Sequence, residues 1–163
     1  MKSTKTVLAF AIVIAVVPSC SMPASEPAPS TPLPQGVFST TDDCDIRTTT
    51  PSGAQTTETQ TLSITFEINA RGVPIVLGEE IAVGRTVELE GIQVTYTRIE
   101  ATANGIIIHS TISGSVNNVS SSGTAIATFS ATETGEIQYD ITSALIDSDG
   151  FVYNSGCTFI LVP

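Results

Sequence analysis

From residue 61 onward, apolar and polar positions alternate. Leu62, Ile64, Phe66 and Ile68 share one parity, and Thr61, Ser63, Thr65 and Glu67 the other. A period of two puts one side of a strand into a core and leaves the other in water. Residues 73–83 read as a short hairpin broken at Gly78, with Ile75 and Ile81 inward, and residues 86–89 as a further strand. Parity shifts at Gly91, from Val87 and Leu89 to Ile92, Val94 and Tyr96, which predicts a β-bulge there. It shifts again beyond Arg98, where Ile99, Ala101 and Ala103 take over. Asn104-Gly105 is the strongest hairpin signal, since both residues tolerate positive φ. It leads into residues 106–116, with Ile106, Ile108, Ile112 and Val116 on one face. A loose polar turn over 117–123 precedes residues 124–132, whose inward side carries Ala125, Ala127, Phe129 and Ala131. Beyond Glu133-Thr134-Gly135, Ile137, Tyr139, Ile141 and Leu145 alternate up to a tight turn at residues 147–150. Phe151, Tyr153, Cys157, Phe159 and Leu161 mark the last strand. With residues 44–50 as the first, the pattern predicts about eight strands and no helix. The fold class is all-β, an antiparallel meander forming a small barrel-like or sandwich domain.

The first 36 residues have a different character. Lys2 and Lys5 precede an eleven-residue apolar run, residues 7–17, that ends at Val17-Pro18-Ser19-Cys20. That order is the order of a secretory signal, and the run falls short of the ~20 residues a spanning helix needs. Residues 17–20 resemble the lipobox of bacterial lipoproteins, with an aliphatic residue three before the cysteine and a small one directly before it. The resemblance covers the leader alone. It implies cleavage before Cys20, a diacylglycerol on its thiol and an acyl chain on the new amine. More than one chain is what stable anchoring requires. A secreted signal cut nearer Ala24 and an uncleaved anchor are the alternative readings. Ser21 stands where an aspartate would imply inner-membrane retention, so the resemblance favours an exported protein lipid-anchored in the outer membrane. The division expected is therefore a signal peptide over residues 1–19, the lipidated Cys20 with a Pro/Ser-rich tether to residue 36, and a β domain over 37–163. The tether holds five of the nine prolines and reads as extended and solvated, about 50 Å long as polyproline II.

Charge narrows the partners. The chain carries −10, but both lysines lie in the leader, leaving four arginines against sixteen acids and a net charge of −12. Such a surface does not track nucleic-acid phosphates and is repelled by anionic lipid, so membrane contact is expected through the lipid on Cys20 alone. Cys44 and Cys157 remain, one near each end of the domain. In an exported protein such a pair reads as a disulfide, which makes the first and last strands neighbours or nearly so.

Candidate chemistry is sparse. His109, the single histidine, shares parity with Ile107, Thr111 and Ser113 on the solvent face and has no nucleophile pattern beside it. Asp147 and Asp149 look a little like the start of a calcium loop, but no glutamate follows, and a tight turn accounts for them. Glu88 and Glu90 fall on one face of a strand, at a spacing that paired carboxylates of a hydrolase use and that any strand produces. No catalytic set and no cofactor motif emerges. The expected function is a non-enzymatic binding or structural module of the cell envelope. A hydrophobic-ligand carrier in a β-barrel and a carboxylate-based envelope hydrolase are the alternatives.

Overall fold

The computed structural model describes residues 26–163 except Glu90 and Asn117. The expected signal peptide, Cys20 and the start of the expected tether lie outside them. Twelve strands follow one another: β1 (Glu26–Pro27), β2 (Gly36–Thr49), β3 (Gln55–Ile68), β4 (Pro74–Val76), β5 (Glu79–Glu80), β6 (Ala82–Val83), β7 (Thr86–Leu89), β8 (Ile92–Ala101), β9 (Gly105–Val116), β10 (Val119–Ala131), β11 (Ile137–Asp147) and β12 (Val152–Leu161). Ten form one antiparallel sheet in the order β5-β4-β3-β2-β12-β11-β10-β9-β8-β7, and β1 pairs with β6 beside it. The fold is all-β, as the alternation predicts.

The sheet is curled into a half-barrel, and two distances require it. Residues 81–85 join β5 and β7, the two outermost strands. That link spans at most about 21 Å, against about 43 Å across a flat ten-stranded sheet. The rings of Phe66 on β3 and Phe129 on β10 lie 4.8 Å apart, although four strand spacings, about 19 Å, separate those strands along the sheet. Inside the curl Phe66, Phe129, Tyr139 and Phe159 pack ring against ring at 4.7 to 6.0 Å. Phe38, Ile64, Ile68, Ile106, Ile108, Ile137 and Leu161 complete the core around them.

β2, the first long strand, lies beside the last. β12 pairs with β2 from Val152↔Thr49 to Ser155↔Ile46, and Ser39↔Val162 is bridged further along in the same register. Cys44 and Cys157 meet between those two paired regions, with Cα atoms 5.3 Å apart and 113 residues between them in sequence. The disulfide therefore holds the two strands together where no backbone ladder does.

Several local expectations are corrected. β2 begins at Gly36 and β3 at Gln55 rather than at residues 44 and 61. Hydroxyls and carboxylates, not apolar alternation, hold the added length: Thr61 donates to Asp43 at 2.6 Å, Thr59 to Asp45 at 2.6 Å, and Thr41 pairs with Ser63 at 2.9 Å. Gly91 is no bulge. Leu89 pairs with Ile92, so Gly91 (φ 84°) sits in the two-residue turn between β7 and β8, and parity need not be kept across a turn. The register shift lies at Thr97, between Tyr96 and Arg98. Residues 117–123 are not a loose turn, because β10 already starts at Val119, directly after Asn118 at φ 65°. In the short hairpin, Val73 and Val76 are buried and Ile75 only partly. Gly105 opens β9 rather than a two-residue turn; a Cβ there would strike the Phe129 carbonyl.

The segment 26–36, read from composition as solvated, packs on the barrel. Ala28 and Leu33 are 2% and 5% exposed and belong to the core. The Thr31 amide donates to the Arg71 carbonyl at 2.8 Å, and its hydroxyl to the Gly72 carbonyl. Gly72 has φ 71°, and a Cβ there would strike Thr31. Proline-rich composition forbids a helix but not burial of Ala28 and Leu33, provided neighbouring backbone groups find partners.

Candidate functional site

Strand direction divides the half-barrel into a floor and a mouth. The turns at 50–54, at Gly91, at Asn118 and at 147–150 gather at one end. The Ser148 amide donates to the Ser120 carbonyl at 2.7 Å, and a Cβ on Gly150 would lie 3.4 Å from Pro51. At the opposite end lie the aromatic cluster and the segment 26–36. Arg71 closes that floor by pairing with Glu80, and Arg85 by pairing with Glu79 at 2.5 Å and donating to the Glu80 carbonyl at 2.8 Å.

Toward the mouth, the inward rows become mixed: Leu145 and Val87 stay buried, and their neighbours are partly exposed. Leu62, Val94 and Ile141 are partly buried against the top of the core. Ile46, Ile112 and Tyr153 continue the same rows, also partly exposed. Among them stand polar side chains: Ser143 and Ser155, bonded to each other at 2.8 Å, and Ser110, whose hydroxyl donates to the Ala125 carbonyl at 3.4 Å. Gln60, paired with Cys44 across β2 and β3, has its Oε1 buried without a hydrogen-bond partner among the described residues. Leaving such an acceptor unpaired costs about 1 to 3 kcal/mol. The inner wall thus passes from an aromatic floor to a half-open belt of aliphatic and hydroxyl groups with one spare amide oxygen.

At the rim, Asp147 organises the last turn. Its Oδ1 accepts the amides of Asp149 (3.0 Å) and Phe151 (2.9 Å), and its Oδ2 accepts the Tyr153 hydroxyl at 2.9 Å. Burial, and then the hydrogen bond and charge of Asp147, push the Tyr153 hydroxyl up to about 12. The carboxylate is engaged on both oxygens by its own hairpin, so the turn reading of Asp147 and Asp149 accounts for the geometry. No group of three or more histidine, cysteine or acidic side chains gathers among the described residues.

The remaining candidates point away from the interior. His109 Nε2 lies 3.2 Å from Glu100 Oε1, which also pairs with Arg98 at 2.7 Å on the outer face. Glu88 is exposed on β7 opposite Gln93, and Glu90 lies outside the described residues. Asp43 and Asp45 accept threonine hydroxyls on the outer face, as Asp140 does from Thr158 at 2.6 Å. These acids are spread over that face; Asp42 and Glu58 fall on the inward parity of β2 and β3, and Asp147 is held in the rim turn.

Sequence reasoning passed over Gln60, Ser143 and Ser155. The available signal was Gln60 itself, a polar residue on the parity of Leu62, Ile64, Phe66 and Ile68. No family model, curated protein or solved structure matches the chain.

Proposed function

We propose that this chain is a lipid-anchored protein of the bacterial envelope, held by Cys20, whose half-barrel is a non-enzymatic binding module taking its ligand at the mouth. The observation that carries the binding reading is the change of the inner wall from a packed aromatic floor to a partly exposed stretch of aliphatic and hydroxyl groups, with the unpartnered Gln60 oxygen on the same inward side. A ligand suited to that wall is largely apolar and offers one N–H or O–H. Covering the belt would remove apolar surface from water, at about 25 cal/mol per Å², and give Gln60 the bond it lacks. The outward placement of Asp43, Asp45, Asp140 and Glu100 speaks for binding rather than carboxylate hydrolysis, which needs two acids flanking one bond.

The anchor is tested by the intact mass of membrane-extracted protein. A chain starting at Cys20 with acyl groups attached is expected, and an unmodified later start sinks that half of the reading. The mouth is tested separately on the Cys20→Ser chain, free of lipid and detergent, by titration with a neutral solvatochromic dye. Saturable binding that Ile112→Asp weakens by about tenfold or more is expected, since a carboxylate would then have to lose water on ligand entry. Dye uptake unchanged by Ile112→Asp would move the site elsewhere.

A further inference from the structure

The half-barrel leaves one long strand edge unpaired. β4 pairs with β3 only at Glu67↔Ile75 and Ile68↔Pro74, so from Gln55 to Phe66 the side of β3 away from β2 meets no backbone partner among the described residues. Residues 55–59 are exposed at every position, and Thr61 and Ser63 are exposed beyond them. Twelve residues of open edge run about 40 Å. Such edges are commonly protected by lysine, proline or a bulge. Residues 55–66 contain neither lysine nor proline, and β3 stays in one unbroken register with β2.

We infer that this edge is a dimerisation surface, on which two copies of the chain pair β3 against β3 in antiparallel fashion about a two-fold axis at Thr61. Three observations select a second copy as the occupant. The first is charge. The chain beyond the leader carries twelve surplus negative charges, yet Glu58 is the only ionisable residue from 55 to 66. The edge strand itself thus brings one charge to the contact, and the neighbouring Asp43 and Asp45 on β2 are already engaged by the Thr61 and Thr59 hydroxyls. The second is side-chain chemistry. With the axis at Thr61, Thr59 faces Ser63 and Thr57 faces Thr65 of the other copy. These are hydroxyl pairs of the kind the molecule already makes across its own strands, at 2.9 Å for Thr41 and Ser63 and 2.7 Å for Thr86 and Thr95. The third is register. The same axis places Glu58 opposite Ile64 and keeps the two Glu58 carboxylates about 20 Å apart along the strands. A two-fold interface needs one patch that complements itself, and an antiparallel strand edge meets that requirement through its backbone alone. The outcome is one sheet running through both half-barrels.

The test uses the full-length, membrane-extracted chain. Thr61→Cys, at the axis, is expected to give a disulfide-linked band of doubled mass that collapses with reductant. Thr128→Cys, outward on the central strand β10, is expected to stay monomeric. In native mass spectrometry of the otherwise unmodified chain, a dimer is expected that Thr61→Lys weakens by roughly tenfold, because it sets two like charges directly opposite one another. A monomer in both experiments overturns the inference. So does cross-linking at Thr61 no stronger than at Thr128, or capture of the Thr61 thiol by residues of its own chain or of a different protein. Dye binding at the mouth and dimerisation through β3 are read by different variants, so one can fail without the other.

Discussion

At the scale of single residues, the tyrosines report how dry the interior is. Burial pushes the Tyr96 hydroxyl up to about 12 despite the opposing pull of Arg85, and pushes that of Tyr139, inside the aromatic cluster, higher still. In the unfolded chain both titrate near the ordinary value of about 10. Below that value neither state has lost the proton, so these groups place no pH dependence on stability. Above it the unfolded chain loses protons that the folded chain retains, and stability falls with rising pH until the folded hydroxyls ionise as well. Urea midpoints should therefore hold steady up to about pH 9 and drop between about pH 10 and 12. Tyr139→Phe, which keeps the ring and removes the titrating group, should shrink that drop; an equal drop in the variant would assign it elsewhere. The apolar members of this cluster were legible in the alternation, as Phe66, Phe129, Ile137 and Phe159 all fall on inward parity. Gln60 was not, because parity gives the side a residue faces but not whether a partner waits there.

Among elements, what was legible followed the source of each strand's stability. Strands with one buried face, such as β11 and β12, stand out in the pattern because burial selects apolar residues at every second position. The mouth ends of β2 and β3, at 48–49 and 55–59, are buried on neither face, and bonds such as Thr59 to Asp45 leave no apolar period to read. The segment 26–36 was hidden for another reason. Its composition suits a tether, and its docking depends on Gly72, forty-one residues from Thr31, leaving room for the Thr31 backbone. Gly72→Val should cost about 1 to 3 kcal/mol and release that segment from the floor. In hydrogen exchange the Thr31 amide, which donates to Arg71, should lose its protection, while the amides of β10 and β11 keep theirs. Retained protection at Thr31 would mean that the segment is held independently of Gly72.

For the whole molecule, the disulfide and the curl act together. Cys44 and Cys157 join the strands at the two ends of the meander, in the stretch where β2 and β12 share no ladder. Reduction should lower unfolding stability by up to about 4 to 5 kcal/mol in the chain-entropy description, read as a fall in the urea midpoint. An unchanged midpoint would mean that the reduced ends stay together unaided. The docked segment has a mechanical consequence as well. With the chain held at Cys20, as proposed, at most about 20 Å of backbone separates that residue from Glu26. The floor then rests near the bilayer and the mouth opens away from it. A load pulling the domain outward enters at β1, whose two-residue ladder with β6 peels one pair at a time. Residues 26–36, at most about 35 Å long when extended, would then peel away before the disulfide-closed barrel bore the full load. The packed segment would thus serve as a leash, one that lengthens by peeling while the folded domain remains intact.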